Sequence, residues 1–130
     1  MSEIDILMAV DVEGALSSGN LGANIYMVDS TGYAGAGNEG TDELITIAAN
    51  GDTLKWTVAP IQPSGVVSIA GFSGSAVPTQ INPVQDPLSP AVWEAEFKTT
   101  AGAGTQYQYT CTLAFEHGKE LSFDPFLKVG

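Results

Sequence analysis

The chain contains no arginine, and its basic side chains are 4 lysines against 15 Asp and Glu, giving a formal net charge of −11. Nucleic-acid binding needs a basic footprint, so a nucleic-acid partner is excluded. Anionic lipid surfaces are disfavoured for the same reason. Cys111 is the only cysteine and His117 the only histidine. An intrachain disulfide is therefore ruled out, as are metal sites built on several histidines. No apolar run approaches membrane-spanning length, and Met1-Ser2-Glu3-Ile4-Asp5 lacks the basic start of a secretory leader. The expectation is a cytoplasmic protein with no membrane partner, with release by a route lacking a cleaved signal left open.

What is present is β-forming. The hydrophobic content of 44% argues against disorder, and 130 residues are enough to bury a core without disulfides or metal. A single domain, 1–130, is expected. Apolar and polar residues alternate from Ile4 to Val12, from Val92 to Lys98 and, longest of all, from Thr105 to Phe115. The last of these turns at Glu116-His117-Gly118-Lys119 and returns through Leu121 and Phe123 as a hairpin reaching Val129. Asn24–Asp29 and Val66–Phe72 read as further strands. Glu43–Ala49 and Thr53–Ala59 flank Asn50-Gly51, which predicts a second hairpin. Gly14–Asn20 reads as a turn that closes the first strand. Four prolines between Val77 and Pro90 exclude a central strand or helix and predict a stiff crossover between sheets. The sum is an all-β, antiparallel β-sandwich of about eight strands, immunoglobulin-like or jelly-roll-like, with no helix.

Motifs for chemistry are sparse. Gly35-Ala36-Gly37-Asn38-Glu39-Gly40 fits G-x-G-x-x-G, but a dinucleotide site needs a βαβ setting that these β segments do not offer. Cys111 and His117 lie roughly 20 Å apart along an extended strand, too far for a dyad. His117 reads as a solvated turn residue, and no nucleophile elbow accompanies it. Carboxylates pair at i,i+2 in Asp11 with Glu13 and Glu94 with Glu96, each projecting from one strand face. Such pairs could serve a glycosidase or hold calcium, and solvent-facing strands also collect them by default. The candidates for a calcium or ligand site are Asp11, Glu13, Asn38, Glu39, Asp42 and Glu43, in two acidic loops and without support from their spacing. Asp29–Glu39 fails the EF-hand pattern, with Tyr33 and Gly40 where oxygen ligands are needed. Trp56, Trp93, Tyr107 and Tyr109 fall on apolar stripes and are assigned to the core. Tyr26 and Tyr33 are the candidates for an exposed carbohydrate platform. No cofactor is expected.

Glu3-Ile4-Asp5-Ile6-Leu7, Val10-Asp11-Val12-Glu13-Gly14-Ala15-Leu16 and Asn24–Asp29 open the chain. Leu121-Ser122-Phe123-Asp124-Pro125-Phe126-Leu127 closes it, with Asn38-Glu39-Gly40-Thr41 and Tyr107-Gln108-Tyr109 between. In these motifs and their order the sequence resembles the PixA/AidA inclusion-body protein family of bacteria. The resemblance implies small cytoplasmic proteins, some accumulating as intracellular inclusions and some under quorum-sensing control in host-associated bacteria. It implies no established enzymatic activity, so no catalytic residue is carried over. Methionine-rich members suggest storage, whereas this chain has 3 methionines. Asp124-Pro125 reads as a structural corner.

Two functions are therefore expected, from different classes. The first is a non-enzymatic acidic β-sandwich that forms a homo-oligomer, with open sheet edges as the means of pairing and a host-interaction role. The second is a small calcium- or carbohydrate-binding module whose ligand, small molecule or glycan, is undetermined.

Overall fold

Ile4, Ile6, Met8 and Val10 alternate with Glu3, Asp5, Leu7 and Ala9, and the first set is buried along β1 (Glu3–Val10). The computed structural model describes residues 2–31 and 44–130. In chain order it continues with α1 (Val12–Ser18), β2 (Ile25–Asp29), β3 (Ile45–Ala48), β4 (Thr53–Pro60) and β5 (Val67–Ser73). Then come β6 (Val84–Asp86), β7 (Ser89–Glu96), β8 (Gln106–Gln108), β9 (Thr110–Phe115), β10 (Glu120–Phe123) and β11 (Phe126–Val129). One layer is a five-stranded sheet in the order β2-β1-β4-β7-β6; facing it are two three-stranded pieces, β10-β9-β5 and β3-β11-β8. The buried side chains form one contiguous cluster between them.

The all-β sandwich is as expected, with eleven strands among the described residues rather than about eight. The difference has three local causes. The long C-terminal alternation breaks at Tyr109, its return breaks at Asp124-Pro125, and the proline-rich stretch contributes the short outer strand β6. The two breaks lie opposite each other. Tyr109 N–H donates to the Pro125 carbonyl at 3.1 Å, and Thr110 Oγ1 donates to Asp124 Oδ1 at 2.7 Å. The hairpin thus runs from β9–β10 in one piece into β8–β11 in the other, and Asp124-Pro125 is the corner it was read to be.

Two expectations need correction. The Asn50-Gly51 turn does not close a hairpin: β3 pairs in parallel with β11, while β4 pairs with β1 and β7 in the other layer. Its polar groups are spent elsewhere. Gly51 N–H donates to the Phe97 carbonyl at 2.8 Å, and Asp52 Oδ1 and Oδ2 accept the amides of Ser2 and Ala49, both at 2.9 Å. Those bonds send β4 alongside the chain's start, so β1–β4 and β3–β11 are parallel ladders within an otherwise antiparallel sandwich. Nor is the chain free of helix. Asp11 caps α1 by accepting Gly14 N–H, and Gly19, at φ 69°, ends it with a bond to the Ala15 carbonyl. The strand alternation carries on through Val12, which hid the change of period.

At the centre of the sandwich Trp56 of β4 donates its indole N–H to the Tyr109 hydroxyl at 3.0 Å, with both side chains buried. Phe72 of β5 stacks at 4.7 Å from Trp56 and 5.6 Å from Trp93, tilted in both cases. Burial holds the Tyr109 hydroxyl protonated far above the ordinary phenol range. Replacing Tyr109 by Phe keeps the volume and strands the Trp56 donor, so Tyr109→Phe is expected to cost about 1–3 kcal/mol. Urea unfolding should show a lower midpoint at unchanged slope. A loss below about 0.5 kcal/mol, the level of an inert surface change, would overturn this reading.

Candidate functional site

The Gly14 amide and the Gln62 side chain build the acidic corner where β1 passes into α1. Asp11 Oδ1 accepts from Gly14 N–H at 3.0 Å and from Gln62 Nε2 at 2.6 Å, while Gln62 Oε1 accepts Val12 N–H at 2.9 Å. One glutamine amide thereby clamps the helix start to the β4–β5 loop. The amide bonds, Gly14 first and Gln62 second, hold the Asp11 carboxyl below its ordinary value of 3.8. Asp11 and Glu13 therefore do not project from a shared strand face, as expected of them. Asp11 is a helix cap and Glu13 lies in the first helical turn. The remaining acidic candidates, Asn38, Glu39, Asp42 and Glu43, lie outside the described residues, as do Tyr33 and the Gly35–Gly40 motif. Among the described residues no three His, Cys, Asp or Glu side chains gather as a metal site.

The other sequence candidates resolve one by one. Glu94 and Glu96 do share the outer face of β7, yet each meets a lysine: Glu94 with Lys55 at 3.3 Å and Glu96 with Lys98 at 3.9 Å. Lys55 also reaches Glu3 at 3.6 Å, and the Glu94 hydrogen bond and these two carboxylates push its ammonium above the ordinary lysine value. His117 is exposed in its turn at φ 63°. Cys111 is fully buried, and desolvation pushes its thiol up, so it carries no thiolate chemistry at neutral pH. Trp56 and Tyr109 are core, as read; Trp93 and Tyr107 pack against it half-buried. Tyr107 bonds its hydroxyl to Thr99 Oγ1 at 2.7 Å.

Two further surfaces are assembled from segments distant in the chain, and Tyr26, read as an exposed aromatic, is exposed on the second. The first is a polar cleft of ≈ 490 Å³ at the Asn50-Gly51 end, lined by Thr79, Gln80, Glu96, Lys98, Thr99 and Thr100. Its residues come from three segments of the chain, near positions 50, 80 and 98. The second is the outer face of the five-stranded sheet beside β2, where Tyr26 is 55% and Leu7 42% exposed. The register sets Tyr26 beside Ala9 and Val28 beside Leu7, with Thr57 and Val92 continuing the row across β4 and β7. Period two assigns Tyr26, Val28 and Leu7 to faces, but only the strand order makes them neighbours.

The family described as a domain of unknown function, DUF8788, matches residues 2–122. No curated protein matches the chain. Among solved structures, the inclusion body protein PixA from Burkholderia cenocepacia J2315 is similar in fold. The two share a TM-score of 0.62 at 13% identity, over 99% of this chain and 94% of that one. The likeness to inclusion-body proteins carried by the end motifs is borne out by the fold. No helix among the described residues is long and apolar enough to cross a membrane.

Gly14 decides how tightly the acidic corner closes. A Cβ there would stand 2.2 Å from Asn24 Oδ1 and 2.7 Å from Asp11 Oδ2. Gly14→Ala is expected to destabilise by about 1 kcal/mol or more, although alanine alone favours a helix by about that amount. A gain in thermal stability would refute the close approach. For Asp11 the sign follows from its lowered carboxyl: its contribution is complete above the unfolded-state value and is lost as pH falls through the folded one. The stability gap between wild type and Asp11→Ala should hold from neutral pH down to about pH 4 and close only below it. Denaturant titrations at several pH values that show the gap closing between about pH 6 and pH 5 would sink the capping assignment.

Proposed function

We propose, for a chain that belongs to the DUF8788 family, a non-enzymatic structural role as an acidic, self-associating protein of the inclusion-body type. The observation that carries this reading is the fold shared along 99% of the chain with an inclusion body protein. Four described carboxylates support it: Asp11 caps a helix, Asp52 holds a turn, and Glu94 and Glu96 pair with lysines. Control by quorum sensing, a cytoplasmic location and a host-interaction role belong to the same proposal and come from the family resemblance.

The net charge of −11 sets the conditions. Copies repel at neutral pH and low salt, and protonation toward the sequence pI ≈ 4.1 relaxes that repulsion. Sedimentation velocity should show growth in oligomer size from neutral to mildly acid pH and on raising salt at fixed pH. A monomer under all of these conditions would overturn the reading.

The polar cleft favours a second reading, a carbohydrate-binding module, since hydroxyl, amide and carboxylate groups suit vicinal sugar hydroxyls. Glycan-array binding abolished by Gln80→Ala and Glu96→Ala, with the oligomeric state unchanged, would support this reading over self-association alone.

A further inference from the structure

β2 is an outer strand of the five-stranded sheet, and its sequence Ile-Tyr-Met-Val-Asp carries a single charge, at its end. The bonds at its two ends fix which way its main-chain groups point. Asp11 N–H donates to the Asn24 carbonyl at 2.8 Å, and Ser30 N–H to the Asp5 carbonyl at 2.9 Å. Bonded pairs alternate along an antiparallel ladder. With Val28 opposite Leu7 and Tyr26 opposite Ala9, the amides and carbonyls of Tyr26 and Val28 turn toward β1. Those of Ile25, Met27 and Asp29 turn toward the open edge, where no strand of the described residues pairs with them.

Folded proteins blunt open edges with prolines, lysines, bulges or short strands. The other outer strands described here use these devices. β6 is three residues between Pro83 and Pro87 with an irregular register. β5 is irregular between Ile69 and Gly71, β8 is three residues, β3 is four, and β10 is four residues opening on Glu120 after Lys119. β2 has five residues and no proline, lysine or bulge, no described strand covers its edge, and its outward side chains, Tyr26 and Val28, continue the exposed apolar row of Leu7.

We propose that β2 pairs antiparallel with β2 of a second copy about a twofold axis at Met27, joining two five-stranded sheets into one. The proposal rests on the self-association reading and names its surface. The register follows from the main-chain polarity. Met27 faces Met27 of the second copy, and each Ile25 faces Asp29 of the other. That pairing uses every outward amide and carbonyl of both strands, about six hydrogen bonds in all. A shift by one residue would turn the buried faces to opposite sides, and a shift by two would lose bonds. The strand's self-complementary register points to a second copy, and the one charge on it sets the direction. A parallel pairing would set the two Asp29 carboxylates side by side, whereas the antiparallel one places them at opposite ends, each against isoleucine. On the outer face Tyr26 lies directly across from Val28 of the second copy, twice, so the two apolar rows become one stripe.

The test is cysteine cross-linking and sedimentation on the full chain. Tyr26 and Val28 form non-bonded cross-strand pairs, whose Cα separation of about 4.5 Å lies within the disulfide range. Tyr26→Cys/Val28→Cys should give a disulfide-linked dimer under mild oxidation, whereas Tyr26→Cys alone and Val28→Cys alone should not. The native Cys111 is buried and silent. Tyr26→Lys/Val28→Lys should shift the protein to monomer, while Val84→Lys on β6 should leave assembly as in wild type. Assembly persisting in the lysine variant, with no cross-link in the double-cysteine variant, would overturn the β2 pairing and leave self-association standing through another surface. A wild type that stays monomeric at every pH and salt would remove both. Circular dichroism of each variant against wild type separates lost pairing from lost folding.

Discussion

The sandwich depends on the hydrogen bond between Trp56 and Tyr109, because it ties the two layers at the point where one of them changes sheet. Trp56 occupies the middle of β4, flanked by β1 and β7. Tyr109 sits where the long C-terminal ribbon leaves β8–β11 for β9–β10. A buried indole N–H without an acceptor is costly, and the break in the ribbon falls where the Tyr109 hydroxyl meets the Trp56 indole. Other groups converge on the same point. Gly74, at φ 97°, brings its backbone so near that a Cβ would stand 3.0 Å from Thr110 N, and Ala76 N–H donates to the Gln108 carbonyl. Residue positions near 74, 109 and 125 therefore form one joint, where the ribbon passes from one three-stranded piece to the other.

Much of this fold was legible as local alternation, because period two reports which side of a strand is buried whichever neighbour covers it. Ile4 to Val10, Trp93 to Phe97 and Tyr109 to Phe115 were all read to the correct face. Pairing was not legible, because it is set by bonds between distant residues. Asn50-Gly51 has the composition of a hairpin turn, but the Asp52 carboxylate is taken by the amides of Ser2 and Ala49, and Gly51 by Phe97. Nothing local distinguishes those outcomes. The helix was missed for a related reason: Val12 continues the alternation of β1 and also begins the buried face of α1 with Ala15. Asp11, Glu13 and Gly14 looked like an acidic loop because Gln62, which clamps Asp11, is 51 positions away. The exposure of Tyr26 was legible, but its neighbours on the outer face and the lining of the polar cleft were not, being brought together by distant segments.

Charge and edge exposure act against one another in this molecule. Lysines on outer strands are a common guard against unwanted pairing, and this chain has 4 of them, of which Lys55 lies in the centre of a sheet bound to Glu94 and Glu3. With so few cations, protection against indiscriminate assembly falls to prolines, bulges and short strands locally and to the net charge of −11 globally. The global term is long-ranged and is screened within about 10 Å at 0.1 M salt. It acts like a threshold set by solution conditions, whereas a local guard is permanent.

That division gives β2 its significance. A permanent guard on β2 would have been simple to encode, since Tyr26 and Val28 are outward-facing and one lysine at either position would serve. The chain instead places aromatic and branched apolar residues there, beside Leu7, and confines the charge to Asp29, whose carboxylate is held by Thr46 at 2.7 Å and by Thr31. In the proposed pairing, an acidic body whose β2 edge carries one charge, at Asp29, would repel its copies at a distance and accept them at contact in one orientation. Such a surface favours a defined twofold pair over open aggregation, because the pairing consumes the edge that makes it. If β2 pairs as proposed, larger assemblies require a second, different contact, and the outer apolar stripe created by the pair is a surface that only the paired form would present.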